Sequence, residues 1–246
     1  MTVRNRTIET LQELKRHAPF TMFGALVGII CMLVFEKSGK PNANLLFSVF
    51  HPTHVLLSAL VTAAMFKIHS EKHKSILLIL LMGYIGSIGI ATLSDSVMPW
   101  FGEKAFGLHI PKHEHNNQEM HLEHDSEPAH DEHQSADVNH KPQPELHLGF
   151  IKEWYFVHPA AILGALIGFY LPKTRFPHAG HILISTWATS SHIFMNLADS
   201  LSVRSVAEVF VILFLAVWLP CCVSDIIFPV FFARNKNVPL HELHSH

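Results

Sequence analysis

The sequence predicts an all-α integral membrane protein with six transmembrane helices, arranged as two inverted three-helix repeats. Two observations support this prediction. Hydrophobic residues make up 49% of the 246-residue chain and charged residues only 15%, and most of the charge lies outside a few long apolar runs. In addition, three short patterns occur twice and in the same order. Because each repeat holds an odd number of spans, the two halves must cross the membrane in opposite orientations.

The six spans follow from the apolar runs, most of which approach or exceed the roughly 20 residues needed to cross the hydrocarbon core. The second is short and polar at its start. The predicted spans are 19–35, 50–67, 75–101, 154–172, 178–200 and 206–233. They divide the chain into an N-terminal segment (1–18), a first repeat (19–101), a His-rich loop (102–153), a second repeat (154–233) and a C-terminal tail (234–246).

Lys and Arg placement predicts the orientation, because cytoplasmic loops carry an excess of these residues. Eleven of the 18 basic residues fall on the side that holds both termini. We therefore expect cytoplasmic termini and an outward-facing His-rich loop. No cleavable signal peptide is expected, since the N-terminal residues are charged and precede no short apolar region with a cleavage site.

The most informative repeat is a polar stripe inside two of the apolar runs. It begins with His51 and His54 in one copy and with His178 and His181 in the other, 127 residues later. In both copies a serine follows four residues after the second histidine and a threonine four residues after that. Steps of three and four place these side chains on one helix face. Polar groups inside a bilayer are costly and usually mark a pathway or site.

Two further patterns extend the repeat. Gly24-Ala-Leu-Val-Gly28 matches Gly164-Ala-Leu-Ile-Gly168, and Ser94-Asp95 with a later proline matches Ser224-Asp225 with a proline at the same spacing. The glycine pattern by itself indicates close helix packing through small residues. These glycine faces are also candidate surfaces for a homo-oligomer.

The duplication yields one His/His/Asp set per half: His51, His54 and Asp95, and His178, His181 and Asp225. Imidazole with carboxylate suits zinc, iron, cobalt, nickel and manganese. Topology predicts that the two histidine pairs lie on opposite membrane faces. His158, which opens the fourth span, is a further candidate ligand on the outer side. The alternative is that these residues meet headgroups or cap helices at span ends.

The fifth span continues the stripe more deeply, through His192, Asn196 and Asp199. We predict His192 inside the bilayer as the strongest single candidate, against the alternative of a histidine that locks helix packing. Cys221 and Cys222 follow a proline that could break the sixth span at a binding site. They are candidate thiolate ligands, or simply small packing residues.

The loop 102–153 contains nine histidines and many acidic residues with almost no apolar periodicity. Such tracts are typically disordered and commonly bind metal, although a solvated or pH-responsive linker is the alternative. The tail His-Glu-Leu-His-Ser-His (241–246) is likewise rich in histidine, and it is expected on the inner side. Its spacing differs from the zinc-protease motif His-Glu-x-x-His.

Together these patterns predict a secondary transporter, not an enzyme, for a divalent transition-metal ion. Zinc is favoured, with iron, nickel, cobalt or manganese as alternatives. The metal is expected as substrate, with no permanently bound cofactor, and the expected partners are metal ions and the lipid bilayer, with no nucleic acid. A membrane metalloenzyme or redox or haem subunit, and a metal sensor, are the alternative functions. A shared metal centre is disfavoured if the two histidine pairs lie on opposite faces.

Overall fold

The computed structural model of the chain describes residues 3–36, 41–69, 75–108, 146–172, 175–197 and 202–223. Nearly all of these residues are helical, and none of them is in a strand. The elements are α1 (Val3–Glu36), α2 (Pro41–His69), α3 (Ile76–Thr92), a π-helical turn (Leu93–Val97), α4 (Met98–Phe106), α5 (Gly149–Lys152), α6 (Trp154–Tyr170), α7 (Arg175–Asn196) and α8 (Val203–Cys222).

Among the described residues, four helical segments are long and apolar enough to cross a membrane, which indicates a helical membrane protein. They are His17–Val34, Asn42–Ile68, Ile76–Phe106 and Val203–Cys221. α6 is apolar but only 17 residues long. α7 has 22 residues, and its His, Ser and Thr side chains lower its mean hydropathy. The coarse fold class predicted from the sequence is therefore confirmed.

Two helix ends differ from the predicted spans. α2 begins at Pro41, so His51 and His54 lie in the middle of a spanning helix and do not open it. The apolar residues between Leu45 and Phe50 continue the helix ahead of the histidines, and Pro52 is accommodated inside it. The third span runs through the π-helical turn to Phe106, so Asp95 does not close it. Both candidate positions thus move deeper into the bundle than the apolar runs suggested.

The π-helical turn interrupts an otherwise continuous helix from Ile76 to Phe106. Ser94, Asp95 and Ser96 within this turn are all buried. π-helical turns inside α-helices are rare and occur frequently at functional sites. In the second half, Val223 stands 130 residues after Leu93 and is itself π-helical. π-Helical backbone therefore occurs at both Leu93 and Val223, which are separated by the same 130 residues as the two Ser-Asp patterns.

The helices pack around a central pair formed by α2 and α7. α6 and α3 pack on α2 and on each other, while α1 and α8 pack on α7 and on each other. Exchanging α1, α2 and the α3–α4 helix for α6, α7 and α8 therefore reproduces the same set of neighbours.

Glycines bring the paired helices into close contact. A Cβ at Gly164 would lie 2.1 Å from the carbonyl oxygen of Leu56, and one at Gly168 would lie 2.2 Å from that of Leu60. On the other side, a Cβ at Gly28 would lie 2.5 Å from Ser190 Oγ. The glycine faces considered above as oligomer surfaces are therefore occupied within the chain, α6 against α2 and α1 against α7.

Candidate metal site

Asp95 joins two histidines of α2 in the interior of the bundle. Its Oδ2 atom lies 2.9 Å from His51 Nδ1 and 2.6 Å from His54 Nδ1. All three side chains are completely buried. A carboxylate accepts hydrogen bonds, so each Nδ1 that pairs with it carries the ring proton. In that tautomer the Nε2 atoms of His51 and His54 present their lone pairs away from Asp95.

The second carboxylate oxygen of Asp95 faces α7. Oδ1 lies 3.4 Å from Ser185 Oγ and 3.3 Å from Thr189 Oγ1. Ser94, the neighbour of Asp95 in the π-helical turn, places its hydroxyl 3.0 Å from Ser185 Oγ. The turn therefore directs the side chains of Ser94 and Asp95 at the interface between α2 and α7. Hydroxyl groups of α7 supply the hydrogen-bond partners that a buried carboxylate requires.

Beyond Asp95, three metal-ligating side chains from three different helices converge. The Nε2 atoms of His54 (α2) and His181 (α7) lie 2.7 Å apart, and Cys221 Sγ (α8) lies 4.0 Å from His54 Nε2. One potential ligand atom from each residue lies within 4.8 Å of the others, and all three residues are buried. We refer to His54, His181 and Cys221 as the central group. Within the described residues it is the sole such grouping of three metal-ligating side chains.

The central group has the chemistry of a transition-metal site. Two imidazole nitrogens and a thiolate match the ligands used by zinc and related ions. Metal-bound histidines almost always donate their other ring N–H to a carboxylate or carbonyl, which fixes the tautomer and ring orientation. Asp95 is such a carboxylate, since it accepts the Nδ1–H of His54 and leaves Nε2 available to a metal ion. Ligand atoms of a tetrahedral zinc ion are about 3.3 Å apart, given zinc–nitrogen distances near 2.0–2.1 Å. Small rotamer shifts would therefore admit an ion.

A second polar group lies where α4 and α7 end. Asn196 Nδ2 donates a 2.8 Å hydrogen bond to Glu103 Oε2, and His192 Nδ1 lies 3.7 Å from Glu103 Oε1. All three residues are buried, Glu103 to 2% exposure. Gly107 adopts a left-handed conformation with φ of 64° and ends α4 just after Glu103. We refer to Glu103, His192 and Asn196 as the Glu103 group.

His51 lies between the two groups. Phe47 stacks on the His51 ring at 5.0 Å and meets the His192 ring at 5.8 Å. His51 Nε2 is buried and has no hydrogen-bond partner in the described part of the chain. A Cβ at Gly149, the first residue of α5, would lie 2.5 Å from that nitrogen. The backbone that follows the His-rich segment therefore rests directly on His51.

The structure brings together five of the residues predicted as ligands, His51, His54, Asp95, His181 and Cys221. It places His192 and Asn196 in the separate Glu103 group. His158 lies apart from both groups, with its Nδ1 2.8 Å from Tyr84 Oη. The side chains of His178 and Cys222, and the whole of Asp199 and Asp225, fall outside the described residues.

One expectation from the sequence is wrong. The two histidine pairs were expected on opposite membrane faces, but His54 and His181 are in contact. α2 begins nine residues earlier than predicted, so its histidines lie at mid-helix and can meet those of α7. Pro220 likewise does not end α8, which continues through it to Cys222.

Glu103 was missed because the third span was predicted to end at residue 101. Its position eight residues after Asp95, two helical turns further along, is the signal that could have identified it.

Comparisons with protein-family models, curated proteins and solved structures find no match to this chain.

Proposed function

We propose that this chain is a membrane transporter for divalent transition-metal ions, with zinc-like ions as the preferred substrate. The observation that carries the proposal is the central group, in which His54, His181 and Cys221 converge in the interior of a bundle of membrane-length helices. Ionisable side chains at such positions are expensive and mark ion pathways. Because the ligands come from α2, α7 and α8, relative movement of these helices would assemble or separate the site.

The helix packing supports an architecture of two inverted three-helix repeats, with α6 and α7 completing a set of six spans. Contacts between α1, α7 and α8 have counterparts among α6, α2 and α3. His54 and His181 occupy corresponding positions of the repeat and meet each other, as residues on a pseudo-two-fold axis do. In carriers with inverted repeats, substrate sites lie near the midplane at the repeat interface.

The order of the polar groups supports a route into the bundle. The Glu103 group lies where α4 ends, close along the chain to the start of the His-rich segment, and His51 lies between it and the central group. With both termini in the cytoplasm, the His-rich segment faces outward and collects ions. His192, His51 and the central group then pass them inward. By the sequence repeat, Asp225 is the counterpart of Asp95.

The ligands of the central group favour a particular class of ion. A thiolate selects zinc and softer ions over magnesium and calcium, and imidazole suits zinc, copper, iron and nickel. Asp95 compensates positive charge without occupying a ligand position. Its hydrogen bond to His54 raises the basicity of the Nε2 nitrogen that binds the ion.

Flux measurements test the proposal. The chain is reconstituted in liposomes loaded with a metal-sensitive dye, and zinc entry is compared between wild type and His54→Gln, Cys221→Ser and Asp225→Ala. We expect each substitution to abolish flux. His158→Gln and Cys31→Ser are matched controls, since these side chains lie outside the central group, and they should keep wild-type flux. Wild-type vesicles that admit no more zinc than empty liposomes would refute transport.

A second candidate function is a membrane enzyme or redox subunit with a permanently held metal ion. It is favoured by the contact between His54 and His181, since a shared centre requires ligands from both halves to meet. The 2.7 Å separation of their Nε2 atoms leaves no room for a porphyrin between these two histidines, so the ion would be a mononuclear or dinuclear centre. Purified protein that retains stoichiometric metal after prolonged chelation, together with no flux, would establish this alternative.

A further inference from the structure

The Glu103 group contains buried polar atoms that lack partners. Glu103 Oε1 and both ring nitrogens of His192 have no hydrogen-bond partner among the described residues. His192 is completely buried and Glu103 is 2% exposed. Buried polar groups in folded proteins are almost always hydrogen-bonded, and each exception calls for a specific explanation.

A cation would satisfy these atoms. An ionised carboxylate removed from water is strongly disfavoured unless a positive charge or several hydrogen bonds compensate it. Asn196 supplies one hydrogen bond, and only to Oε2. The 3.7 Å separation between His192 Nδ1 and Glu103 Oε1 is too long for a hydrogen bond. It is close to the roughly 3.4 Å expected between two ligands of one tetrahedral zinc-like ion.

We infer that Glu103 and His192, with Glu103 oriented by Asn196, form a second divalent-cation site distinct from the central group. Asn196 fixes one carboxylate oxygen and leaves the other directed at His192. The choice of transition metal as occupant rests on the proposed function. The existence of the site follows from the buried, unpartnered atoms. One nitrogen and one oxygen ligand without sulfur make it less selective than the central group, with water completing the coordination.

The surroundings of this site fit an entry position. The ring of His147, the last histidine before α5, meets the ring of His192 edge-on at 6.0 Å. Phe47 contacts the rings of both His192 and His51 and lies between them. An ion at Glu103 would therefore stand between His147 and the buried carboxylate Asp95.

The site is tested by crystals or cryo-grids of the full chain loaded with Co²⁺, with anomalous or difference density as the readout. We expect one peak between His192 Nδ1 and Glu103 Oε1 and a separate peak at the central group. Glu103→Gln preserves shape and can still accept the Asn196 hydrogen bond, but it removes the charge. It should abolish the first peak and leave the second. Glu153→Gln, the same change at a partly buried glutamate elsewhere, should keep both.

A solution measurement separates this inference from the proposed function. Cobalt bound by a thiolate gives a near-ultraviolet charge-transfer band, which reports the central group only. Glu103→Gln should bind one cobalt ion fewer than wild type in the presence of a weak competing chelator, with the band unchanged. Equal stoichiometry in the two proteins, or no density beside Glu103, would overturn the second site. If the wild-type protein holds metal at both sites and yet transports no zinc, the transport proposal is wrong while the second site stands.

Discussion

His54 and His181 stand 127 residues apart, at matching positions of two repeated segments, and their Nε2 atoms lie 2.7 Å from each other. The contact exists because α2 and α7 cross at this point, with Asp95 holding one ring from behind. A site made in this way depends on the carboxylate, the thiol and the helix spacing, and each of these can be changed separately.

Asp95→Asn is expected to weaken metal binding at the central group by about 10- to 100-fold, the usual effect of losing a carboxylate behind a ligating histidine. Asp95 accepts from both histidines through Oδ2 and from Ser185 and Thr189 through Oδ1. An amide has only one acceptor oxygen and no negative charge, so it cannot serve both sides, and the tautomer of His54 is no longer fixed. Competition with a chelator of known zinc affinity measures the change. Ser96→Ala, in the same π-helical turn, serves as control. Unchanged affinity in Asp95→Asn would show that Asp95 does not support the ligands.

Cys221→Ser is expected to remove the thiolate-to-cobalt band and to shift the preference of the protein from cadmium and zinc towards manganese and cobalt. The reason is that a hydroxyl is a harder and weaker ligand than a thiolate. Absorption spectra of the cobalt-loaded protein and competition between ions give both readouts. Cys31→Ser removes a thiol that lies on α1 and should keep the band. If the band persists in Cys221→Ser, the sulfur ligand is elsewhere.

Gly164→Ala is expected to destabilise the fold by about 1–3 kcal/mol, the usual range for overpacking. The new Cβ would lie 2.1 Å from the carbonyl oxygen of Leu56, and backbone cannot yield as a flexible side chain does. Thermal unfolding in detergent measures the effect. Gly89→Ala is the matched control in another spanning helix, because no atom of the described residues lies within 4 Å of its Cβ position. Gly89→Ala should leave the free energy of unfolding unchanged or raise it by up to about 1 kcal/mol.

Deletion of residues 113–140 is expected to slow zinc uptake at low external metal and to leave the maximal rate at saturating metal nearly unchanged. On the proposed function, the His-rich segment would raise the local concentration of ions, whereas the buried groups would carry them. Initial rates over a range of zinc concentrations separate the two effects. If this deletion stops flux at saturating zinc while His54→Gln does not, the route through the bundle is wrong.

The sequence was sufficient to predict an all-helical membrane protein and a stripe of histidines on one helix face. His54 and His181 belonged to that stripe. Which helices the stripe would face was not predictable, because the contact between α2 and α7 joins residues far apart in the chain. Local hydropathy also misplaced the start of α2, because the polar residues from His51 to His54 lie at the start of the predicted span although the helix begins at Pro41. The six spans and their inversion remain predictions.

Asp95 and Glu103 show why irregular structure limits what can be predicted from the sequence. A regular helix would point Asp95 differently from the π-helical turn that contains it, and no simple residue pattern announces that turn. Glu103 is a single acidic residue in the last turn of a helix whose end was predicted too early. Its partners, His192 and Asn196, lie on α7 and become its neighbours only through tertiary packing.

The glycine contacts have a mechanical consequence. Gly164 and Gly168 seat α6 against the backbone of α2, and Gly28 seats α1 against Ser190 of α7. Helices held so closely resist sliding or rotation relative to each other, since any shift brings backbone atoms into collision. The glycine contacts therefore form two closely packed helix pairs, α6 with α2 and α1 with α7, and each pair combines helices from both halves of the chain. His54 and His181 lie where these two pairs meet, so any movement of one pair against the other would open or close the buried histidine contact.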